Sequence, residues 1–105
     1  MIELTSENFE QYSNGDLPLI VDFWAAWCGP CRMVGPIVEE LSTEFEGKAV
    51  VAKLDVDANQ ELSQKFNVSS IPTIVFIKDG KEVDRFTGAG SKPDFQKKFE
   101  SWLDA

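Results

Sequence analysis

Histidine is absent from the 105 residues of this chain, and its absence excludes every mechanism that needs an imidazole. An imidazole is the base in Ser/His/Asp and Cys/His catalysis and a common metal ligand. Both kinds of nucleophilic catalysis are therefore excluded, and a metal site would need other ligands.

Positive charge is also scarce, with 10 Lys and Arg against 18 Asp and Glu and a formal net charge of -8. Such a chain repels phosphates and anionic lipids, so we expect neither nucleic acid nor a membrane surface as a partner. Long apolar runs are missing as well, and Glu3, Glu7 and Glu10 interrupt the N-terminal region. We predict no signal peptide, no membrane span and a cytoplasmic location.

The remaining composition predicts one folded domain over residues 1–105. A hydrophobic share of 43% and an aromatic share of 11% are too high for a disordered chain. The length lies within the usual range of one domain, and the sequence shows no internal repeat.

The first half of the chain is patterned as a strand, a helix and a strand. Residues 18–26 and 49–55 are short apolar runs rich in β-branched and aromatic side chains, which is typical of buried strands. Between them, apolar residues recur at helical spacing up to Gly47, and we expect Pro36 to bend this helix without ending it. This order predicts a parallel βαβ unit. The helical stripe consists of Met33, Val34, Ile37, Val38, Leu41 and Phe45.

The second half is patterned as a short helix, a hairpin and a final helix. Asp79-Gly80 lies between the apolar runs 71–77 and 82–87 and is typical of a turn between antiparallel strands. Asn59 is expected to cap a short helix that reaches Phe66 before this hairpin, and another helix follows Ser91. The apolar stripe of the last helix consists of Phe95, Phe99, Trp102 and Leu103.

Near the N-terminus, Ile2 and Leu4 predict a short edge strand, and Thr5 or Ser6 is expected to cap a helix that reaches Tyr12. The complete order is then β, α, β, α, β, α, β, β, α. It predicts an α/β protein whose mixed sheet carries helices on both faces.

The two cysteines lie where the first buried strand meets the long helix. At positions i and i+3 of a helix, Cys28 and Cys31 are about 5 to 6 Å apart, which is close enough for a disulfide. Closing so short a loop stabilises a fold by only about 2 kcal/mol, which favours a reversible bond over a structural one. The positive helix end favours a thiolate at Cys28, the expected exposed nucleophile, and Cys31 would resolve a mixed disulfide. Pro30 suits the first helical turn, and Gly29 keeps the approach to sulfur open.

Other interpretations of the cysteine pair stay open at this point. The two thiols could supply half of a zinc site, which normally needs four ligands, or they could be unrelated buried cysteines. A different class of protein, a small metal-binding carrier, also uses two cysteines at this spacing. Titration with zinc or copper separates these interpretations.

The residues around the cysteines resemble the thioredoxin family. The matching segments follow one another across nearly the whole chain, and Trp before Cys-Gly-Pro-Cys is far more specific than the cysteine spacing alone. The resemblance implies the thioredoxin fold, an α/β architecture with a central mixed five-stranded sheet and helices on both faces. The segments are Val21-Asp22-Phe23-Trp24-Ala25-Ala26-Trp27-Cys28-Gly29-Pro30-Cys31, Lys53-Leu54-Asp55, Ser70-Ile71-Pro72-Thr73, Asp79-Gly80 and Gly88-Ala89.

The resemblance also implies a thiol-disulfide oxidoreductase, a general protein-disulfide reductant that uses Cys28 and Cys31 reversibly. The residue matching Asp22 is buried behind the second cysteine in the family and assists its proton transfer, and Lys53 resembles the lysine beside it. Asp22 lies in an apolar run, on the strand face of Ile20 and Trp24, where desolvation raises a carboxyl pKa. The alternatives are an Asp exposed at a sheet edge and a solvated lysine.

An apolar docking surface beside Cys28 follows from the same resemblance. A proline at the start of a strand is ordinarily trans, but the family implies a cis bond before Pro72, which packs against the disulfide. The backbone of Ile71 would pair with an extended substrate segment. The other surface residues would be Trp27, Gly29, Pro30, Gly88 and Ala89.

The partners that the resemblance implies are disulfide-containing target proteins and a thioredoxin reductase, linked to NADPH or to ferredoxin. It implies a monomer with no bound cofactor or metal. A redox-indifferent binding module that uses the surface beside Cys28 is the alternative. Two departures, Ala26 where many members carry an acidic residue and Gly35 before Pro36, leave partner preference open.

Overall fold

The computed structural model describes residues 1–104, in which strands and helices follow the predicted order. The strands are β1 (Ile2–Glu3), β2 (Leu19–Trp24), β3 (Val50–Asp55), β4 (Thr73–Lys78) and β5 (Lys81–Thr87). The helices are α1 (Phe9–Ser13), α2 (Gly29–Glu44), α3 (Gln60–Lys65) and α4 (Lys92–Leu103). Within these residues, no helix has the length and apolar character needed to cross a membrane.

The strands form one five-stranded mixed sheet in the order β1-β3-β2-β4-β5. β3 pairs parallel with β1 and β2, whereas β4 pairs antiparallel with β2 and β5. The predicted βαβ unit, the hairpin and the mixed sheet are therefore confirmed. In this register Asp22 lies opposite Lys53 on one side and Ile74 on the other, near the middle of the sheet.

Alternate residues of β2 enter two separate apolar cores, one on each face of the sheet. The core of Ile20 includes residues of α2 and α4, and the core of Val21 includes residues of α1 and α3. Helices therefore cover both faces, as predicted. The first core contains Ile20, Val34, Val38, Leu41, Phe45, Ala49, Val51, Ile74, Phe76, Phe95, Phe99 and Trp102. The second contains Leu4, Phe9, Leu19, Val21, Phe23, Ala52, Leu54, Leu62, Val75 and Ile77.

The long helix α2 follows the predicted stripe with one exception. Val34, Val38 and Leu41 are fully buried, but Met33 is 73% exposed, so its place in the core was wrong. Val34 faces the sheet. Met33, one position earlier on the same helix, therefore points away from the sheet. Pro36 lies inside α2, which continues through it.

The predicted cap of α1 is wrong, whereas the predicted cap of α3 is correct in position but makes no capping hydrogen bond. α1 begins after Asn8 and not after Thr5 or Ser6. The Thr5 hydroxyl accepts the Glu7 N–H in a turn before the helix. Asn59 occupies the N-cap of α3, but its Oδ1 accepts the Ser6 N–H, so this side chain joins two segments and does not cap its own helix.

The hairpin turn and the start of α4 have the predicted local chemistry. Asp79 and Gly80 have φ angles of 53° and 77°, the positive values that this turn requires. Ser91 accepts the Asp94 N–H, and the Asp94 carboxylate accepts the Ser91 N–H, which completes a capping box.

We expect opposite stability changes when alanine replaces two of the glycines. Gly35→Ala should raise the free energy of unfolding by about 0.5 kcal/mol, because nothing lies within 4 Å of the added Cβ inside α2. Gly80→Ala should lower it by about 1 kcal/mol, because Gly80 has a φ of +77° and the added Cβ would lie 2.7 Å from Asn14 Oδ1. Urea unfolding of the oxidised proteins measures both changes, and a change of the same sign in both variants would contradict this account.

Candidate active site

Cys28 is the N-cap residue of α2, directly after the loop that follows β2. Its backbone is extended, with φ -87° and ψ 109°, and its Sγ accepts the Cys31 N–H at 3.2 Å. The sulfur thus receives a hydrogen bond at the positive end of a long helix, and both features favour negative charge on it. The predicted helix N-terminus is confirmed.

Cys28 and Cys31 form a disulfide, with Cα atoms 5.2 Å apart. Both residues are buried, Cys28 with 5% and Cys31 with 3% of its surface exposed. The expectation of an exposed Cys28 is therefore wrong for the oxidised protein. The two cysteines form a small apolar cluster with Ala25, against which Trp24, Val56 and Ile71 pack.

The predicted docking residues converge on Cys28 from distant parts of the chain. Cys28 Sγ lies 3.8 Å from the Ile71 carbonyl oxygen, and the Ile71-Pro72 peptide bond is cis. The Gly88 N–H donates to the Pro72 carbonyl at 2.9 Å, which brings Gly88 and the exposed Ala89 to the same edge. Pro72 itself is buried, so its side chain contributes little to the outer surface.

The exposed part of this surface comes from the segment before and after Cys28. Trp27 is 67% exposed, and Gly29 and Pro30 are exposed at the start of α2. No heavy atom lies within 4 Å of a Cβ placed on Gly29, so the approach to the cysteine pair is open on that side.

Asp22 lies behind the disulfide, at a cavity of about 220 Å³ that also borders Cys31. Asp22 is only 2% exposed, so the alternative of an Asp at an open sheet edge is wrong. Its Oδ1 and the indole Nε1 of Trp24 are buried without a hydrogen-bond partner in residues 1–104. Lys53 and Arg32 border the same cavity.

Burial raises the pKa of Asp22 from 3.8 to about 7, and the positive charge of Lys53 partly opposes this rise. Lys53 is half-buried, and its Nζ lies 5.3 Å from the centre of the Trp24 ring, at cation–π distance. Asp22 is therefore a carboxyl group that changes its protonation state near neutral pH, next to the buried sulfur.

Two contacts at this site involve Asp57 and Arg32, which were not among the predicted site residues. The Trp27 indole N–H donates to Asp57 Oδ2 at 2.8 Å, and Arg32 Nη1 donates to the Ala26 carbonyl at 3.0 Å. Asp57 follows β3 at the carboxyl edge of the sheet, where open α/β sheets place their sites, and this rule could have identified it. Within residues 1–104, no cluster of three or more Cys, Asp or Glu side chains could hold a metal ion.

Proteins with similar sequences match nearly the whole chain. The family model described as thioredoxin matches residues 1–101. This chain belongs to the thioredoxin family. Thioredoxin 2 of Chlorobaculum tepidum is 48% identical over 102 residues, which cover 96% of this chain and 94% of that protein. Thioredoxin of Alicyclobacillus acidocaldarius is 46% identical over 93 residues, which cover 89% of each chain. Thioredoxin of Staphylococcus saprophyticus is 43% identical over 103 residues, which cover 98% of each chain.

Membership of the thioredoxin family gives the cysteine pair its chemistry. The chain is a thiol-disulfide oxidoreductase of the protein-disulfide reductase type, and Cys28 and Cys31 are at disulfide distance. Thioredoxin-family proteins act on disulfide-containing targets and are reduced by thioredoxin reductase. The alternatives of a zinc site, unrelated cysteines or a metal carrier are not needed to explain the pair.

We expect the buried Asp22 carboxyl group to reduce stability as pH rises. The folded protein keeps a proton up to about pH 7, whereas the unfolded chain loses it near the ordinary pKa of 3.8. The unfolding free energy therefore falls between these pH values, by at most about 4 kcal/mol at about 1.36 kcal/mol per pKa unit. Asp22→Asn removes this titration, so the advantage of the variant over the parent should grow with pH and become constant above about pH 8.

Urea unfolding of the oxidised proteins at about pH 5 and about pH 8 measures this effect. Asp16→Asn, which removes an exposed carboxylate, is the matched control. An Asp22→Asn advantage that is the same at both pH values would contradict the raised pKa.

Proposed function

We propose that Cys28 is the nucleophile and Cys31 the resolving thiol of a general protein-disulfide reductant. The observation that supports this assignment most directly is the hydrogen bond from the Cys31 N–H to Cys28 Sγ at the N-terminus of α2. In the reduced protein the same donor and the same helix end favour a thiolate at Cys28. Cys31 lies in the first turn, close enough to attack the Cys28 sulfur.

The proposed reaction has two exchanges. The Cys28 thiolate attacks one sulfur of the target disulfide, and the other target sulfur leaves as a thiolate. Cys31 then loses its proton and attacks Cys28 Sγ, so that the second target thiolate leaves and the Cys28–Cys31 disulfide forms. Two electrons pass from the dithiol to the target, and a reductase must return them.

Asp22 is the proposed acceptor of the Cys31 proton. Both residues border the cavity behind the disulfide, and the raised pKa of Asp22 lets its carboxylate take a proton near neutral pH. Lys53, on the neighbouring strand, is proposed to assist by opposing the rise in the pKa of Asp22. This arrangement supports a role for Asp22 in the second exchange, since Cys31, and not Cys28, borders the cavity that Asp22 lines.

Target proteins are proposed to dock on Trp27, Gly29, Pro30, Ile71, Pro72, Gly88 and Ala89. The contact between Cys28 and the Ile71 carbonyl supports this surface, because a target segment that pairs with the Ile71 backbone is held next to the nucleophile. Small side chains at Gly29, Gly88 and Ala89 leave room for the backbone of the target.

A thioredoxin reductase, linked to NADPH or to ferredoxin, is the proposed source of electrons. Reduction assays with NADPH and that reductase, and with reduced ferredoxin and a ferredoxin-linked reductase, distinguish the two classes. The monomeric state, the cytoplasmic location and the single domain over residues 1–105 stay predictions.

The two cysteine roles predict different failures of the serine variants. With insulin as substrate and dithiothreitol as reductant, Cys28→Ser should be inactive because it lacks the nucleophile. Cys31→Ser should accumulate a mixed disulfide with the substrate because the second exchange cannot occur. Insulin turbidity and the mass of the trapped adduct measure these results. An inactive parent whose two thiols never pair would instead favour a redox-indifferent binding module.

Asp22→Asn should slow the second exchange, because the amide cannot accept the Cys31 proton. We expect the release of substrate from the mixed disulfide to slow at least about 10-fold at pH 8, since general acid–base catalysis usually contributes about 100-fold or more. The pH profile should also lose an inflection near the Asp22 pKa of about 7. Rapid-quench measurement of the mixed disulfide against time gives the rate. Asp16→Asn is again the control, and an unchanged profile in Asp22→Asn would refute the proton-transfer role.

A further inference from the structure

Ala26 and Trp27 are exposed residues between the buried Ala25 and Cys28, and three hydrogen bonds hold this segment. The Cys28 N–H donates to the Ala25 carbonyl at 3.2 Å and closes a turn before α2. The Trp27 indole N–H donates to Asp57, and Arg32 Nη1 donates to the Ala26 carbonyl. Because most of the Trp27 surface is exposed, the apolar cores contribute little to its orientation.

Arg32 reaches this segment from α2, one turn beyond Cys28. Its backbone N–H donates to the Cys28 carbonyl at 3.3 Å, so its position is tied to the start of the helix. The oxygen that its guanidinium binds belongs to the peptide bond between Ala26 and Trp27. Fixing this oxygen fixes the plane of that peptide bond, and the plane sets the direction in which the Trp27 side chain leaves the backbone.

We propose that Arg32 is a positioning residue for target docking, which orients Trp27 beside Cys28 through the Ala26 carbonyl. Arg32 holds the backbone end of Trp27 and Asp57 holds the ring, so that the indole is ordered before a target arrives. A surface that is already ordered loses less entropy on binding, which strengthens the binding of a protein target. A guanidinium suits this task because it is always charged and carries rigid, planar donors.

The proposal rests on the docking role of Trp27 in the proposed function. It also differs from two simpler roles for Arg32. As a charge that attracts acidic targets, Arg32 would act whether or not Trp27 is present. As a group that alters the cysteine thiols, Arg32 would change the reaction with every disulfide, large or small.

The test compares a protein disulfide with a small one. Second-order rate constants are measured for the reduced protein with insulin and with 5,5′-dithiobis(2-nitrobenzoate), in the parent, Arg32→Met, Trp27→Ala and the double variant. Arg32→Met should lower the insulin rate relative to the small-disulfide rate about fivefold, the loss expected for one hydrogen bond. In the Trp27→Ala background, Arg32→Met should cause no further loss in this ratio. Lys97→Met, which removes an exposed charge from α4, is the charge-matched control.

Each other outcome would contradict either the positioning role of Arg32 or the docking role of Trp27. An equal loss from Arg32→Met with and without Trp27 would show that Arg32 acts by another route, as would an equal loss in Lys97→Met. A loss of both rates together would show an effect on the thiols. If Trp27→Ala lowers the ratio and Arg32→Met does not, only the positioning role is wrong. If Trp27→Ala leaves the ratio unchanged, the docking role of Trp27 and the positioning role fail together.

Discussion

The pairing of β2 with a strand on each side is the constraint on which the rest of the site depends. β3 and β4 bury β2 from both edges, and helices bury it from both faces. Asp22 can therefore avoid water only because it lies in this strand, and the loop after Trp24 delivers Cys28 to the start of α2. One strand thus determines the distance between the buried carboxyl group and the disulfide.

The same arrangement lowers the stability of the fold at the carboxyl group to which the proposed chemistry assigns a role. A carboxyl group without a hydrogen-bond partner for one oxygen is destabilising in an apolar core once it is ionised. Its raised pKa is the measure of that cost and underlies the proposed role of Asp22 as a proton acceptor near neutral pH. The surface in front of the disulfide differs from the core behind it, because Trp27 is exposed and its small neighbours leave room for the proposed target, although the cysteines themselves are buried.

The features that were predicted correctly from the sequence depend on residues that lie close together along the chain. The hairpin followed from Asp79-Gly80, the last helix from Ser91 and its apolar stripe, and the cysteine pair from its spacing at a helix start. The errors arose where a side chain contacts a residue that lies far away along the chain. Asn59 binds the Ser6 N–H, and Cys28 is covered by Ile71, 43 residues further along the chain. The place of Met33 depended on which side of α2 faces the sheet.

The amino-acid sequence by itself determined the order of the elements, the α/β class and the burial of the Asp22 strand, because these follow from periodicity, turn residues and composition. It also identified the cysteine pair, through the spacing of the cysteines and the resemblance to the thioredoxin family. Only the tertiary structure decided that Asp57 and Arg32 hold the segment of Trp27, that both cysteines are covered in the oxidised protein, and that Asp22 shares a cavity with Cys31. These features are contacts across the carboxyl edge of the sheet, and they arise only when separate strands and loops are brought together.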